Sequence, residues 1–184
     1  QRPLHPFALT IRGKMEKDGR KFGLGSSGSV VVLTIKAMAD FYQLELSSDL
    51  LFRLASAVLL KRGDNGSMGD LACIAYEQLV YYRSFDRMTI RQRLVETNLL
   101  EILEQDWGYE IKPIQPSLGC DFLVGWTREP AISSDLVKQV KSSLNEDFLI
   151  QTQLQVDGLK EALESADKTA VKSSLLTASQ LLDR

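Results

Sequence analysis

The sequence has 184 residues, of which 44% are hydrophobic and 25% charged, and its formal net charge is −2. These proportions are ordinary for a globular protein, and without a basic excess nucleic acid is not expected as a partner. The longest apolar run, residues 30–35, is too short to cross a bilayer, so no membrane partner is expected. The single His5 leaves no basis for a catalytic triad, and Cys73 and Cys120 are predicted to be buried and unpaired, which suits a reducing cytoplasm.

The predicted elements mix helices with strands, which indicates an α+β fold. The chain is predicted to begin with a half-buried strand at 7–11, a turn at Asp18 and Gly19, and helices at about 26–42 and 48–61. A strand at 73–83, a helix at 89–105 and strands at 107–114 and 121–126 are predicted to follow. The C-terminal part is predicted to hold a helix at about 134–149 and two helical segments that break near 165–167. Ser47, Ser48 and Asp49 are the candidates for the N-cap of the second helix, and Gly63 is expected to stop it. The first helix is too densely apolar for one stripe, which predicts burial on most sides.

A segment rich in glycine and serine, KFGLGSSGS at residues 21–29, runs directly into the first predicted helix. Its small side chains let a polyanion approach the backbone, and the start of a helix offers unpaired N–H groups and a positive dipole end. This combination predicts a phosphate-binding loop. The residues assigned to that loop are Gly23, Leu24, Gly25, Ser26, Ser27, Gly28 and Ser29.

Two common nucleotide-binding motifs fit this segment poorly. Gly23, Gly25 and Gly28 satisfy the G-x-G-x-x-G pattern, but a charged, turn-prone stretch precedes them where the dinucleotide fold needs a buried strand. A Walker A loop needs Lys followed by Ser or Thr, whereas this loop continues with Ser29 and Val30. A dinucleotide oxidoreductase, and a turn that only caps a helix, therefore stay open as alternatives.

Three blocks of sequence carry a family resemblance. KFGLGSSGSV resembles the phosphate-binding motif of the GHMP kinase superfamily, and the segments at residues 57–73 and 120–141 resemble the bacterial phosphomevalonate kinases within it. The likeness runs from PFALTIRGKM onward and implies a two-domain fold, with residues 1–126 in the ATP-binding N-terminal domain and 127–184 as the helical start of the C-terminal domain. The family's N-terminal segment and its Gly-rich C-terminal motif are missing, so an internal fragment is expected; the oligomeric state is not indicated.

The resemblance also implies an activity and its residues. It implies Mg²⁺-dependent transfer of a phosphoryl group from ATP to (R)-5-phosphomevalonate, a cytoplasmic step of isoprenoid synthesis in the mevalonate pathway. Lys21 and Asp70 match catalytic positions of the family, and Ser27 matches the position that reaches Mg²⁺. Asn65, Ser67 and Ser133 are candidates for binding the phosphorylated acceptor. Another GHMP kinase such as a mevalonate kinase, the related diphosphomevalonate decarboxylase, and a silent nucleotide-binding fragment remain alternatives.

Each of these residues also has a plain structural interpretation. Lys21 can be a solvated surface lysine, Asp70 can cap a turn, and the serines can be helix N-caps. For Asp70 a role as general base is not required, because a phosphate monoester is already anionic near neutral pH, its second pKa being about 6. We therefore expect Asp70 to orient Mg²⁺, Lys21 or water. Trp107 and Trp126 are expected in packing, and Arg128 as a possible anion partner.

Overall fold

A computed structural model describes residues 4–12, 16–23, 25–126, 128 and 145–182. Within these residues the chain forms seven helices and two antiparallel sheets of two strands each, so the predicted mixture of helix and sheet is confirmed. The elements are β1 (Glu16–Lys17), β2 (Arg20–Lys21), α1 (Ser26–Phe41), α2 (Ser48–Lys61), α3 (Gly69–Tyr76), β3 (Val80–Arg83), α4 (Arg87–Glu96), α5 (Leu99–Glu104), β4 (Glu110–Pro113), α6 (Glu146–Glu164) and α7 (Lys168–Leu182).

The first two strands form a hairpin that leads into the glycine-rich segment. Asp18 and Gly19 have φ angles of 53° and 75°, the left-handed pair that a tight two-residue hairpin turn requires. The turn predicted at these two residues is therefore confirmed. The second sheet pairs β3 with β4, with Tyr81 opposite Lys112.

The first two helices begin and end close to where the sequence predicted them. Ser47 caps α2, since its Oγ accepts a hydrogen bond from the N–H of Leu50 at 3.1 Å, and Gly63 follows the helix with φ 86°. The expectation that α1 is buried on most sides is wrong for the described residues. Val32 is fully buried, but Leu33 is 62% exposed, because α2 and α3 pack on one face of α1.

The core lies between α2, α3 and the segment that follows them. Phe52 and Leu71 are fully buried, and the rings of Phe85 and Trp107 pack edge to face with centroids 5.0 Å apart. Trp107 is 4% exposed and its Nε1 donates to the Ile102 carbonyl at 2.8 Å, so its predicted packing role is confirmed. This core supports the N-terminal end of α3, where the candidate site begins.

Two predicted elements have a different structure. The strand predicted at 73–83 is instead the second half of α3, a left-handed Glu77 (φ 56°) that ends this helix, and the short strand β3. The start of this stretch continues the helix that begins at Gly69 and packs on α1 and α2, and only its β-branched and aromatic end is a strand. The single helix predicted at 89–105 is divided into α4 and α5 by Asn98, whose Oδ1 accepts a hydrogen bond from the N–H of Leu100 and starts a new helix.

The strands predicted at 7–11 and 121–126 are also wrong, since both segments lack regular secondary structure. A strand needs a partner for its backbone groups, and none of the described residues forms a ladder with either segment. Their alternating apolar residues are consequently exposed, as Phe7 and Phe122 show. The strand predicted at 107–114 is present only as β4.

The C-terminal third is helical, as predicted. Helices α6 and α7 break at residues 165–167, where Asp167 accepts hydrogen bonds from the N–H groups of Thr169 and Ala170 at 3.0 Å. Most of the helix predicted at 134–149 lies outside the described residues, and its predicted end at Leu149 is wrong, because α6 starts at Glu146 and runs on to Glu164. In the described parts of the chain, no helix combines the length and apolar character needed to cross a membrane.

Candidate active site

The glycine-rich segment forms the start of α1. Gly23 and Gly25 have φ angles of 75° and 71°, in the left-handed region that glycine adopts without strain. Gly25 is the N-cap of α1 and offers no side-chain hydrogen bond to the first turn. Its carbonyl accepts from both the N–H of Ser29 at 3.0 Å and the Oγ of Ser29 at 3.1 Å. Gly25 thus provides no side-chain acceptor for the N–H groups of the first turn, which a helix start otherwise leaves unpaired.

The carboxylate of Asp70 lies directly against this helix start. A Cβ atom built on Gly25 would lie 3.2 Å from the Oδ2 of Asp70, and one built on Gly28 only 2.8 Å from the same oxygen. The two glycines therefore leave the space that the carboxylate occupies. The structure brings the predicted phosphate-binding loop and the predicted catalytic aspartate together, although the two lie far apart in the sequence.

The backbone ahead of Asp70 has an unusual conformation. Asp70 is the second residue of α3, and Met68, the N-cap of that helix, is left-handed with φ 67°. A left-handed residue other than glycine costs roughly 1–2 kcal/mol, so its surroundings must hold it in place. The side chain of Met68 is 2% exposed within the core, and its carbonyl accepts from the N–H of Ala72 at 3.1 Å. The tertiary structure thus sets where α3 starts and where Asp70 points.

Three residues that the sequence analysis missed hold the loop at 63–68. The hydroxyls of Tyr82 and Ser84 donate to the Ser67 carbonyl at 2.7 and 3.2 Å. The Nη2 of Arg91 donates to the Asp64 carbonyl at 2.6 Å and to the Oδ1 of Asn65 at 2.8 Å. Burial raises the pKa of Tyr82, and the negative charge of Asp70 adds to the rise, so this hydroxyl stays a donor. Helical spacing could have placed Arg91 on α4, but nothing local indicates its partners.

The candidate acceptor-binding residues occupy this loop in exposed positions. The Oγ of Ser67 accepts from the N–H of Gly69 at 3.3 Å, and the amide oxygen of Asn65 accepts from Arg91. Both side chains are exposed to solvent. Whether they contact a substrate stays a prediction, but their backbone is held by the residues behind them.

Trp126 packs beside the entrance to the glycine-rich segment. Its ring centroid lies 4.8 Å from that of Phe22, and the guanidinium carbon of Arg128 lies 5.8 Å from the centre of the Trp126 ring. The packing role predicted for Trp126 is confirmed by this contact. Trp126 therefore lies next to the residue that follows β2.

The remaining sequence predictions have mixed outcomes. Leu24 and Ser133 lie outside the described residues, as do the side chains of Lys21 and Ser26. Both cysteines are free as predicted, but the expectation that they are buried is wrong, because Cys73 is half-buried and Cys120 is exposed. Among the described residues no three His, Cys, Asp or Glu side chains form a group that could hold a metal ion.

Comparison with known proteins gives a consistent family relationship. Residues 2–78 match the GHMP kinases N terminal domain. A phosphomevalonate kinase from Streptomyces sp. (strain CL190) is 34% identical over 185 residues, covering 97% of this chain and 50% of that protein.

Solved structures extend the likeness to three dimensions. The crystal structure of Streptococcus pneumoniae phosphomevalonate kinase is 55% identical with a TM-score of 0.92, covering 98% of this chain and 56% of that one. A Streptococcus pneumoniae phosphomevalonate kinase in complex with phosphomevalonate and AMPPNP is also 55% identical, with a TM-score of 0.89 and coverage of 93% and 52%. A Lin0012 protein from Listeria innocua is 29% identical with a TM-score of 0.80, covering 91% of this chain and 49% of that one.

These comparisons confirm the resemblance found in the sequence motifs. The chain spans about half the length of the relatives it matches. It is homologous to the phosphomevalonate kinases over that half, and its fold is that of the GHMP kinases.

Proposed function

Because the chain is similar to phosphomevalonate kinases over about half of their length, we propose that the protein carrying it phosphorylates phosphomevalonate. The γ-phosphoryl group of ATP is transferred to the phosphate of (R)-5-phosphomevalonate, which gives 5-diphosphomevalonate and ADP. The observation that carries the proposal is the Asp70 carboxylate lying against Gly25 and Gly28 at an open helix start. The pneumococcal relative holds phosphomevalonate and AMPPNP together, which supports the same substrate pair here.

The start of α1 is proposed to bind the ATP phosphates. The loop residues 23–29 present backbone N–H groups at the positive end of the helix dipole, and Gly25 leaves them uncapped. Glycine at 25 and 28 also keeps side chains out of the space beside these groups. The hydroxyl of Ser29 donates to the Gly25 carbonyl in the first turn, and Ser29 stays part of the proposed phosphate-binding loop.

Asp70 is proposed to act with a cation. A carboxylate next to a triphosphate is repelled unless a positive charge lies between them. The oxygen of Asp70 and the hydroxyl of Ser27 suit Mg²⁺, which prefers a few protein oxygens together with substrate phosphates. When bound, Mg²⁺ would neutralise charge on the phosphates during transfer. Asp70 orients this charge and is not needed as a base, since the acceptor phosphate is already anionic. Lys21 is proposed to neutralise the developing charge.

The acceptor is proposed to lie on the side of the loop at 63–68. Asn65 and Ser67 provide hydrogen-bonding groups there, and Ser133 is proposed as a third acceptor-binding residue. We also propose that residues 1–126 form part of the ATP-binding domain and that 127–184 begin the C-terminal domain. A cytoplasmic location is proposed as well, where the two free cysteines stay reduced.

The variant Asp70→Asn tests the role of this carboxylate in the complete natural polypeptide. We expect kcat, measured by coupled ADP release, to fall about 100-fold or more. The Mg²⁺ concentration for half-maximal rate should rise at the same time. The control is Asp64→Asn on the same loop, where Oδ1 accepts the Gly66 N–H at 2.7 Å; its kcat should stay within about threefold.

Two outcomes would contradict this part of the proposal. Loss of turnover in Asp70→Asn with both substrate affinities and the Mg²⁺ dependence intact would exclude the orienting role. Transfer to mevalonate in preference to phosphomevalonate, measured with the parent protein, would exclude the proposed acceptor and favour another GHMP kinase.

A further inference from the structure

The Ser67 carbonyl is held by two hydroxyl groups from outside its own loop. The Tyr82 hydroxyl lies 2.7 Å from this oxygen and the Ser84 Oγ lies 3.2 Å from it. The Nη1 of Arg87 donates to Ser84 Oγ at 3.1 Å, so the one proton of Ser84 is left for a carbonyl acceptor. The Ser84 hydroxyl also lies 3.3 Å from the Phe85 carbonyl, and the Tyr82 hydroxyl lies 3.3 Å from Ser84 Oγ, so the Ser67 carbonyl is the nearest acceptor of each hydroxyl.

Tyr82 connects this carbonyl to the rigid core. Its ring packs edge to face on Phe52, with centroids 5.8 Å apart, and Phe52 is fully buried. The same ring contacts Gly69, since a Cβ built there would lie 3.4 Å from the Tyr82 Cδ1. Tyr82 therefore contacts the turn on both sides of Met68 at once.

Met68 is the residue whose conformation needs this support. Its φ of 67° lies in the left-handed region, which is unfavourable for a residue with a side chain. The side chain of Met68 is fixed by its burial in the core, and the peptide group between Ser67 and Met68 is fixed by the hydrogen bonds to the Ser67 carbonyl. Asp70 follows two residues later, so a change of the backbone here moves its carboxylate relative to Gly25 and Gly28.

We infer that Tyr82 and Ser84 are positioning residues for Asp70, which fix the left-handed turn at Met68 and so direct the carboxylate to the glycine-rich helix start. This inference rests on the proposed function, because it assigns Tyr82 and Ser84 a part in the transfer step. Neither residue contacts the reacting groups itself; both act through the backbone of residues 67–69.

The double variant Tyr82→Phe/Ser84→Ala tests the inference in the complete natural polypeptide. Both substitutions keep most of the side-chain shape and remove the two donors to Ser67, and Ser84→Ala also removes the acceptor of Arg87 Nη1. We expect kcat to fall roughly 10- to 100-fold, because a misplacement of about 1 Å has effects of this size. The KM for ATP should stay within about twofold, because the helix start itself is unchanged. Amide hydrogen exchange should become faster at residues 67–71.

Two comparisons separate positioning from general stability. Tyr81→Phe also removes one hydroxyl, which donates to Asp157 at 2.9 Å, and it should leave kcat and exchange at 67–71 unchanged. In an Asp70→Asn background the double variant should cause no further loss of kcat, because the residue being positioned is already altered. A purely structural role would instead give the same loss in both backgrounds.

The outcomes distinguish this inference from the proposed function. If the parent protein is active and Tyr82→Phe/Ser84→Ala keeps the parent kcat, the inference alone is overturned. The same holds if the losses of kcat from the double variant and from Asp70→Asn multiply when the two are combined. A parent protein that does not phosphorylate phosphomevalonate would overturn the proposed function and the inference with it.

Discussion

The Oδ2 atom of Asp70 lies 2.8 Å from the position that a Cβ atom on Gly28 would occupy, and the Cδ2 of fully buried Leu71 lies 3.0 Å from it. Gly28 is therefore the residue that lets the carboxylate reach the helix start. Its absence of a side chain, and not an unusual backbone angle, is what the site requires.

The variant Gly28→Ala should displace the Asp70 carboxylate. Leu71 has no room to move in the core, so the added methyl group must turn Asp70 away from the loop. We expect kcat to fall about 10-fold or more. The matched control is Gly158→Ala in α6, where the new Cβ would meet Ser174 Oγ at an ordinary 3.4 Å. That variant should keep its kcat and gain up to about 1 kcal/mol in stability. Wild-type turnover in Gly28→Ala would contradict the arrangement.

Arg91→Ala should weaken binding of the acceptor. The guanidinium holds the Asp64 carbonyl and the amide oxygen of Asn65, and charged hydrogen bonds of this kind are worth about 1.5–3 kcal/mol. We expect the KM for phosphomevalonate to rise about tenfold, with the KM for ATP unchanged in steady-state kinetics. Arg93→Ala on the same helix is the control, because its Nη1 donates to Gln105 Oε1 at 3.2 Å and not to the loop at 63–68 in the described residues. Equal effects on the two substrates would argue against a local role.

Arg53→Met should destabilise the fold. The Nε of Arg53 donates to Asp49 at 2.9 Å and to the Tyr109 hydroxyl at 2.7 Å, and its side chain is only 18% exposed. Removing it leaves partly buried acceptors without a donor, at a cost of about 1–3 kcal/mol. Arg83→Met is the control, because that side chain is 62% exposed and its ion pair with Glu110 should contribute less than about 1 kcal/mol. Urea unfolding measures the stability of both variants. Equal unfolding midpoints for Arg53→Met and Arg83→Met would contradict the prediction.

Asp86 should make stability depend on pH. The hydroxyl and N–H of Thr89, with the N–H of Met88, donate to Asp86 and hold the pKa of that carboxyl below its usual value. A lowered folded-state pKa gives a contribution that is complete above the unfolded pKa of about 4 and is lost as the pH falls through the folded pKa.

Asp86→Ala should therefore lower the melting temperature most at neutral pH and progressively less below about pH 4. Asn98→Ala is the matched control, since Asn98 caps α5 in the same way but does not titrate. Its effect should be the same across this range. A pH-independent effect of Asp86→Ala would show that the charged form is not the one that caps α4.

The sequence by itself determined the elements whose signals are local. The Asp18-Gly19 turn, the bounds of α1 and α2 and the break near residue 166 depend on capping and on glycine conformations, which neighbouring residues decide. The glycine-rich segment and Asp70 were also identifiable, through motifs. Where a segment needed a distant partner, as at 7–11 and 73–83, local pattern was insufficient.

Only the tertiary structure decided which of these parts meet. Three sets of contacts join residues on different elements. Asp70 lies against Gly25 and Gly28, Tyr82 and Ser84 donate hydrogen bonds to the Ser67 carbonyl, and Arg91 donates to Asn65. The left-handed Met68 is likewise unforeseeable, since a methionine there is unfavourable in isolation and persists because the packed core and two outside hydroxyls hold it. Contacts between distant residues depend on how the helices pack against each other, and this packing cannot be predicted from the pattern of neighbouring residues.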